Sequence, residues 1–196
     1  MNSVLLALAV AMPAHAGEKS KFNRQVNVGD AAPRWEKLPG VDDESHSLSD
    51  YQDASVLVVI FTCNHCPVAK AYEQRIKAAV QDFADDGVKF VAISCSRFPA
   101  DSFEKMKVRA EERDFNFDYL HDESQQIGRA YGASVTPHVF VLDKNRRIAY
   151  MGAFDDNLQP DKVKHHYVCE TLQALIADRS IEVSETKPKG CPIEYE

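Results

Sequence analysis

The sequence predicts an α/β domain, a central mixed sheet flanked by helices. Three observations lead there. A continuous apolar, β-branched run over residues 55–61 and a second apolar-rich run over 88–94 read as buried strands. Helix-period segments follow each of them, as crossovers between parallel strands require. Two later strand-like runs, 139–142 and 147–151, meet at Asp143-Lys144-Asn145, a turn that makes them an antiparallel hairpin.

The elements run as follows. Residues 1–16, MNSVLLALAVAMPAHA, carry a short apolar run and end in Ala14-His15-Ala16. That pattern is expected of a secretory signal peptide, although no Lys or Arg lies in residues 1–3. The run is too short for a transmembrane helix. No other segment is long and apolar enough, so no stable membrane span is expected after leader cleavage. Residues 17–28 are polar and expected to be a flexible linker. The domain is expected over 29–178. Pro39-Gly40 and Asp42-Asp43 suggest a hairpin or loop within 34–50. From Cys66 to Asp86 the apolar residues Val68, Tyr72, Ile76, Val80 and Phe83 recur at helical spacing, and Gly87 closes the segment. Helices are expected over 101–113, 123–131 and 161–177, with a short strand over 117–120. The tail, 179–196, holds Pro188, Gly190, Cys191 and Pro192 and reads as irregular.

The net charge of −7 argues against nucleic acid and anionic lipid as partners. The five cysteines are Cys63, Cys66, Cys95, Cys169 and Cys191. The odd number leaves at least one thiol free or paired between molecules. Such a sparse set does not make a disulfide-scaffold miniprotein, so the core must come from packing.

The chemistry concentrates in FTCNHCPVAK, residues 61–70. Cys63 and Cys66 stand at the end of a buried strand and open a helix, hence at the carboxyl edge of the sheet, where open α/β sheets place their sites. Unpaired N–H groups at a helix start favour a thiolate and lower its pKa. Cys63 would be the more exposed nucleophile, and Cys66, one turn inside, would resolve the mixed disulfide. His65 would stabilise the thiolate further and make the couple more oxidising. Thr136-Pro137, just before a strand, suits a cis peptide that brings the Thr136 backbone beside the cysteines, ready to pair with an extended substrate.

FTCNHCP, followed by VTPHVFVLDKNRRIAYMG, resembles the thioredoxin-like superfamily. Within it the chain is similar to the redoxin branch, also called alkyl hydroperoxide reductase/thiol-specific antioxidant. VGDAAPRW (28–35), VKFVAISC (88–95) and DYLHDESQQIGRAYGA (118–133) support the resemblance, which runs from about 28 to 178. The tail GCPIEY resembles a Gly-Cys tail in the subgroup with a Cys-Asn-His-Cys motif. The resemblance implies a thioredoxin-like fold, Cys63 as nucleophile, Cys66 as resolver and Pro137 as the cis-proline. It implies a thiol–disulfide oxidoreductase, which the leader-like residues 1–16 make an exported, periplasmic or extracytoplasmic one. Its partners would be protein thiols or disulfides and an oxidoreductase that donates or accepts electrons. No cofactor is implied. Cys191 is a candidate accessory redox cysteine.

Two alternatives stay open, a thiol-dependent, peroxiredoxin-like antioxidant peroxidase and a copper-binding thioredoxin-like module. Against the first, the peroxidatic pattern P-x-x-x-T-x-x-C is absent, since Thr62 is adjacent to Cys63. Against the second, the cysteines are two apart rather than three. Zinc wants four ligands and no second cysteine or histidine pair supplies them, so no metal site is assigned. The buried strand carboxylate of thioredoxins has no counterpart in SVLVVIFT. Lys70 and Glu73 are the candidate proton acceptors for Cys66, with a solvated Lys–Glu pair as the plain alternative.

Overall fold

The computed structural model describes residues 19–196. The leader expected over 1–16 lies outside the described residues. Strands β1 (Leu38–Pro39) and β2 (Ser45–His46) form a small antiparallel pair, so the stretch 34–50, expected as a hairpin or loop, is a hairpin. The main sheet takes β3 (Val56–Phe61), β4 (Val88–Ser94), β5 (Asp118–His121), β7 (His138–Leu142) and β8 (Ile148–Gly152). Its order is β5-β4-β3-β7-β8. β3 pairs with β4, and β4 with β5, in parallel; β7 pairs antiparallel with both β3 and β8. The sheet is thus mixed, as expected. A third, two-stranded sheet joins β6 (Val135–Thr136) to β9 (Cys191–Pro192). The helices are α1 (Pro67–Asp82), α2 (Phe103–Glu112), α3 (Gln126–Tyr131) and α4 (Tyr167–Ile176). Among the described residues no helix is long and apolar enough to cross a membrane.

Alternation along β3 sorts its side chains between two cores. Leu57, Val59 and Phe61 face Trp35, Tyr131 and Phe140 on one side. Val56, Val58 and Ile60 face Tyr72, Ile76 and Ala79 of α1 and Val168 and Leu172 of α4 on the other. All six β3 side chains are buried, and full burial of each Val, Leu, Ile or Phe stabilises the fold by about 1.5–3 kcal/mol. This double burial fixes β3 up to Phe61, and the Thr62 N–H, donating to the Ile93 carbonyl at 3.0 Å, extends the support to the residue before Cys63.

Some boundaries differ from expectation. α1 ends at Asp82; a 3-10 turn over Ala84–Asp86 follows, and Gly87 takes the left-handed φ of 71° that reverses the chain into β4. α4 starts at Tyr167 rather than 161. The preceding stretch loops around a buried ion pair, where Arg75 binds the Asp155 carboxylate and the Asn157 and Leu158 carbonyls. The stretch expected to be a flexible linker is held from Ser20 onward. Asn23 donates to the Tyr131 carbonyl at 2.8 Å, and Val26 enters the core. The backbone N–H groups of Lys21 and Phe22 donate to Glu185. The tail, read as largely irregular, includes the short strand β9.

Candidate functional site

The segment Thr62–Cys66 leaves β3 and enters α1. Cys66 is the N-cap of α1, not a residue one turn inside it, because Pro67 takes the first helical position, where a missing N–H costs nothing. The Cys66 sulfur accepts the Ala69 N–H at 3.4 Å. Cys63, Cys66 and Ala69 form one buried cluster, with Cys191 packed against it.

The loop between the two cysteines is held by Asp101, a fully buried carboxylate on the 3-10 turn before α2. Its Oδ1 accepts the N–H groups of Asn64 (2.6 Å) and His65 (2.9 Å). Its Oδ2 accepts from the Ser96 hydroxyl and from His65 Nδ1. The Asn64 side chain adds two bonds, donating to the Ala100 carbonyl and accepting from Tyr119. Sequence reasoning missed Asp101. It lies far along the chain from the cysteines, and its sequence context reads only as a helix start.

The Thr136–Pro137 peptide is cis. Thr136 lies over both cysteines: its hydroxyl is 3.3 Å from Cys63 Sγ, and its carbonyl oxygen is 3.2 Å from Cys66 Sγ. Cys63 is 3 % exposed, at the floor of a cleft of about 280 Å3. The walls come from His65, Phe98 and the tail residues Pro192 and Ile193. His65 packs against Phe98 with ring centroids 4.4 Å apart and the planes tilted by 33°.

The electrostatics correct the expectation of a lowered Cys63 pKa. Burial pushes the thiol up; the hydrogen bond with Thr136 pulls it down, the Asp101 charge raises it again, and the backbone N–H groups of Cys66 and His65 lower it, with a net upward direction. His65 does not act on Cys63 alone, because its Nδ1–H is spent on Asp101. The two suggested proton acceptors are otherwise placed or engaged. Arg109 binds both oxygens of Glu73, at 2.8 and 2.9 Å, and Lys70 is exposed.

The disulfide joins Cys66 to Cys191, across 125 residues of sequence, and Cys63 is a free thiol. Cys95 and Cys169 are also free. Burial pushes Cys95 up to about 12 and Cys169 up to about 11. Cys95 follows β4 at the site's edge but faces Tyr195 and Gly128, not the cleft. Cys63, His65 and Asp101 bring one ligand atom each within 4.8 Å of one another. The Asp101 oxygens are already committed to hydrogen-bond donors, so this trio reads as a positioning network rather than a metal clip.

Residues 28–151 match the AhpC/TSA family. A hypothetical protein from Sinorhizobium meliloti 1021 is similar at 27% identity and a TM-score of 0.81, over 89% of this chain and 97% of that one. An uncharacterised conserved protein from Geobacillus kaustophilus is 30% identical at a TM-score of 0.79, over 95% of this chain and 98% of the other. A putative thiol:disulfide interchange protein DsbE from Chlorobium tepidum shares the fold at a TM-score of 0.64 and 19% identity, over 77% of this chain and 99% of that one. No curated protein matches the chain.

Proposed function

Because the chain belongs to the AhpC/TSA family, we propose that it is an exported thiol–disulfide oxidoreductase working through Cys63 and Cys66 on protein thiols or disulfides. Its thioredoxin-like fold and cysteine disulfide set the broad class; the direction of electron flow, the partner and the compartment belong to the proposal. The observation that carries it is the meeting of three cysteine side chains in one buried cluster under the cis Thr136–Pro137 turn, with one disulfide already formed there. Sulfurs packed against one another can exchange by in-place attack, because the thiolate and the disulfide need no diffusion to meet.

The reductive direction balances as follows. The Cys63 thiolate attacks one sulfur of a substrate disulfide, and the other leaves as a thiolate that takes up a proton. Cys66, free in the reduced enzyme, then attacks Cys63 Sγ and expels the second substrate thiol. The substrate gains two electrons, the enzyme keeps a disulfide, and a donor oxidoreductase restores it. The oxidative direction is the reverse. Export rests on the leader-like residues 1–16.

The test is the reduction potential. The protein is equilibrated in glutathione and dithiothreitol buffers, trapped by alkylation and read by mass. A value near about −270 mV marks a reductant, and one near about −120 to −180 mV an oxidant or isomerase. Cys63→Ser and Cys66→Ser should each abolish reduction of a protein disulfide. Peroxide turnover that needs Cys63 but survives Cys66→Ser would overturn the proposal in favour of a peroxidase.

A further inference from the structure

We propose that Cys191 is a third redox cysteine, carried by a tail strand that occupies the place of an extended protein substrate and trades its disulfide internally with Cys63. The proposal rests on the reading of Cys63 and Cys66 above and adds what that reading does not contain, a built-in occupant of the site.

β9 lies antiparallel against β6, with Cys191 opposite Thr136 and Pro192 opposite Val135. Ile193 continues the ladder, donating to the Ser134 carbonyl at 3.0 Å. An extended segment adding itself to an exposed strand edge is a general way of binding polypeptide. Here the chain's own tail does it, beside the cis-proline turn. Gly190 makes the approach feasible, since a Cβ there would overlap the Thr136 carbonyl group and sit 3.2 Å from Pro137 N. Beyond Cys191 the tail is latched. Gln125 donates to the Glu194 carbonyl (2.8 Å) and accepts the Glu196 N–H (2.9 Å), and the Tyr195 hydroxyl donates to the Ala133 carbonyl (2.7 Å). Arg97 pairs with the Glu196 side chain. Pro192, Ile193, Glu194 and Glu196 line the cleft over Cys63. A protein substrate reaching Cys63 must displace them.

The internal step is redox-neutral. Cys63 loses its proton and attacks Cys66 Sγ. The Cys66–Cys191 bond breaks, and Cys191 leaves with the electron pair and takes up a proton. The product carries Cys63–Cys66 and a tail no longer tied by a disulfide. The reverse attack, by Cys191 on Cys66, closes the site and restores the Cys63 thiol. The oxidised protein therefore exists as two disulfide isomers, closed (66–191) and open (63–66).

The experiment maps disulfides in the full chain after oxidation with glutathione disulfide, acid quench, alkylation and proteolysis. Wild type should show Cys66–Cys191 with Cys63 alkylated. Cys63→Ser should keep that bond, and Cys191→Ser should form Cys63–Cys66 instead. Gly190→Ala, which leaves all three thiols in place, should lower the closed-to-open ratio roughly tenfold, the size of effect an ordinary packing clash produces. Wild type carrying only Cys63–Cys66, with Cys191 alkylated as fast as an exposed thiol, would overturn the tail's role and leave the Cys63/Cys66 reading standing. Full turnover of a protein disulfide by Cys63→Ser would sink both.

Discussion

Asp101→Asn separates an electrostatic role from a purely structural one. In the native protein the carboxylate accepts four hydrogen bonds, from the Asn64 and His65 N–H groups, His65 Nδ1 and Ser96. The amide keeps an oxygen for the two backbone donors and loses the charge. Hydrogen bonds to charged groups contribute about 1.5–3 kcal/mol, neutral ones about 0.5–1.5, so the variant should lose about 2 kcal/mol. For a chain of this length that lowers Tm by about 4–8 °C. Asp101→Ala instead strands the buried Asn64 N–H and the half-buried His65 N–H, and should lose about 3 kcal/mol or more. The decisive readout is Cys63. The Asp101 charge is one of the causes that hold its thiol above the ordinary range, so removing the charge should lower the pKa. The assay is iodoacetamide alkylation across pH 7–10 in the oxidised protein, read by mass at Cys63, with the Cys66–Cys191 bond mapped in the same digest. Asp101→Asn should alkylate faster than wild type at pH 8 and turn over at lower pH. A slower rate, or an unmoved profile at equal Cys66–Cys191 occupancy, would refute the electrostatic argument.

Other outcomes can be checked directly. Burial holds His138 neutral, with its pKa pushed down to about 4 from an ordinary 6.5. The folded state then binds fewer protons than the unfolded one, so stability present above pH 6.5 should fall as pH drops toward 4. At about 1.4 kcal/mol per pH unit the loss approaches about 3 kcal/mol; denaturant midpoints at pH 7 and 4.5 measure it, and His138→Gln should flatten the dependence. Glu73→Gln should lower stability by about 1–2 kcal/mol through the lost pair with Arg109, with turnover unchanged; a large loss of turnover would restore Glu73 as a proton acceptor. In the native oxidised protein at pH 8, Cys95 and Cys169 should alkylate far more slowly than an unhindered thiol, since burial holds them near about 12 and about 11; mass mapping with time decides. Gly152→Ala forces a Cβ against Thr186 at a φ of 143°. It should lower stability by about 2 kcal/mol and free the segment leading into the tail, read by limited proteolysis.

Much of this protein is legible in sequence. The run 55–61 is continuous, and 88–94 nearly so with only Lys89 exposed, because both faces of a central sheet strand are covered, and that burial pattern survives in one dimension. The Cys-x-x-Cys spacing at the end of such a run places the cysteines at the sheet's carboxyl edge without further information. Thr136-Pro137 before a strand carries its turn chemistry locally. What the tertiary structure decided is everything that joins distant segments. Asp101 became the clamp of the cysteine loop because the turn before α2 folds back over it, and a lone Asp in a polar stretch carries no local mark of that. A two-residue strand such as β9 is too short to show a period. Only the edge offered by β6, and the space left by a missing side chain at Gly190, define it. The pairing of Cys66 with Cys191 rather than Cys63 follows for the same reason: local spacing brings two thiols near, but which sulfur completes the bond depends on what long-range strand pairing lays over them.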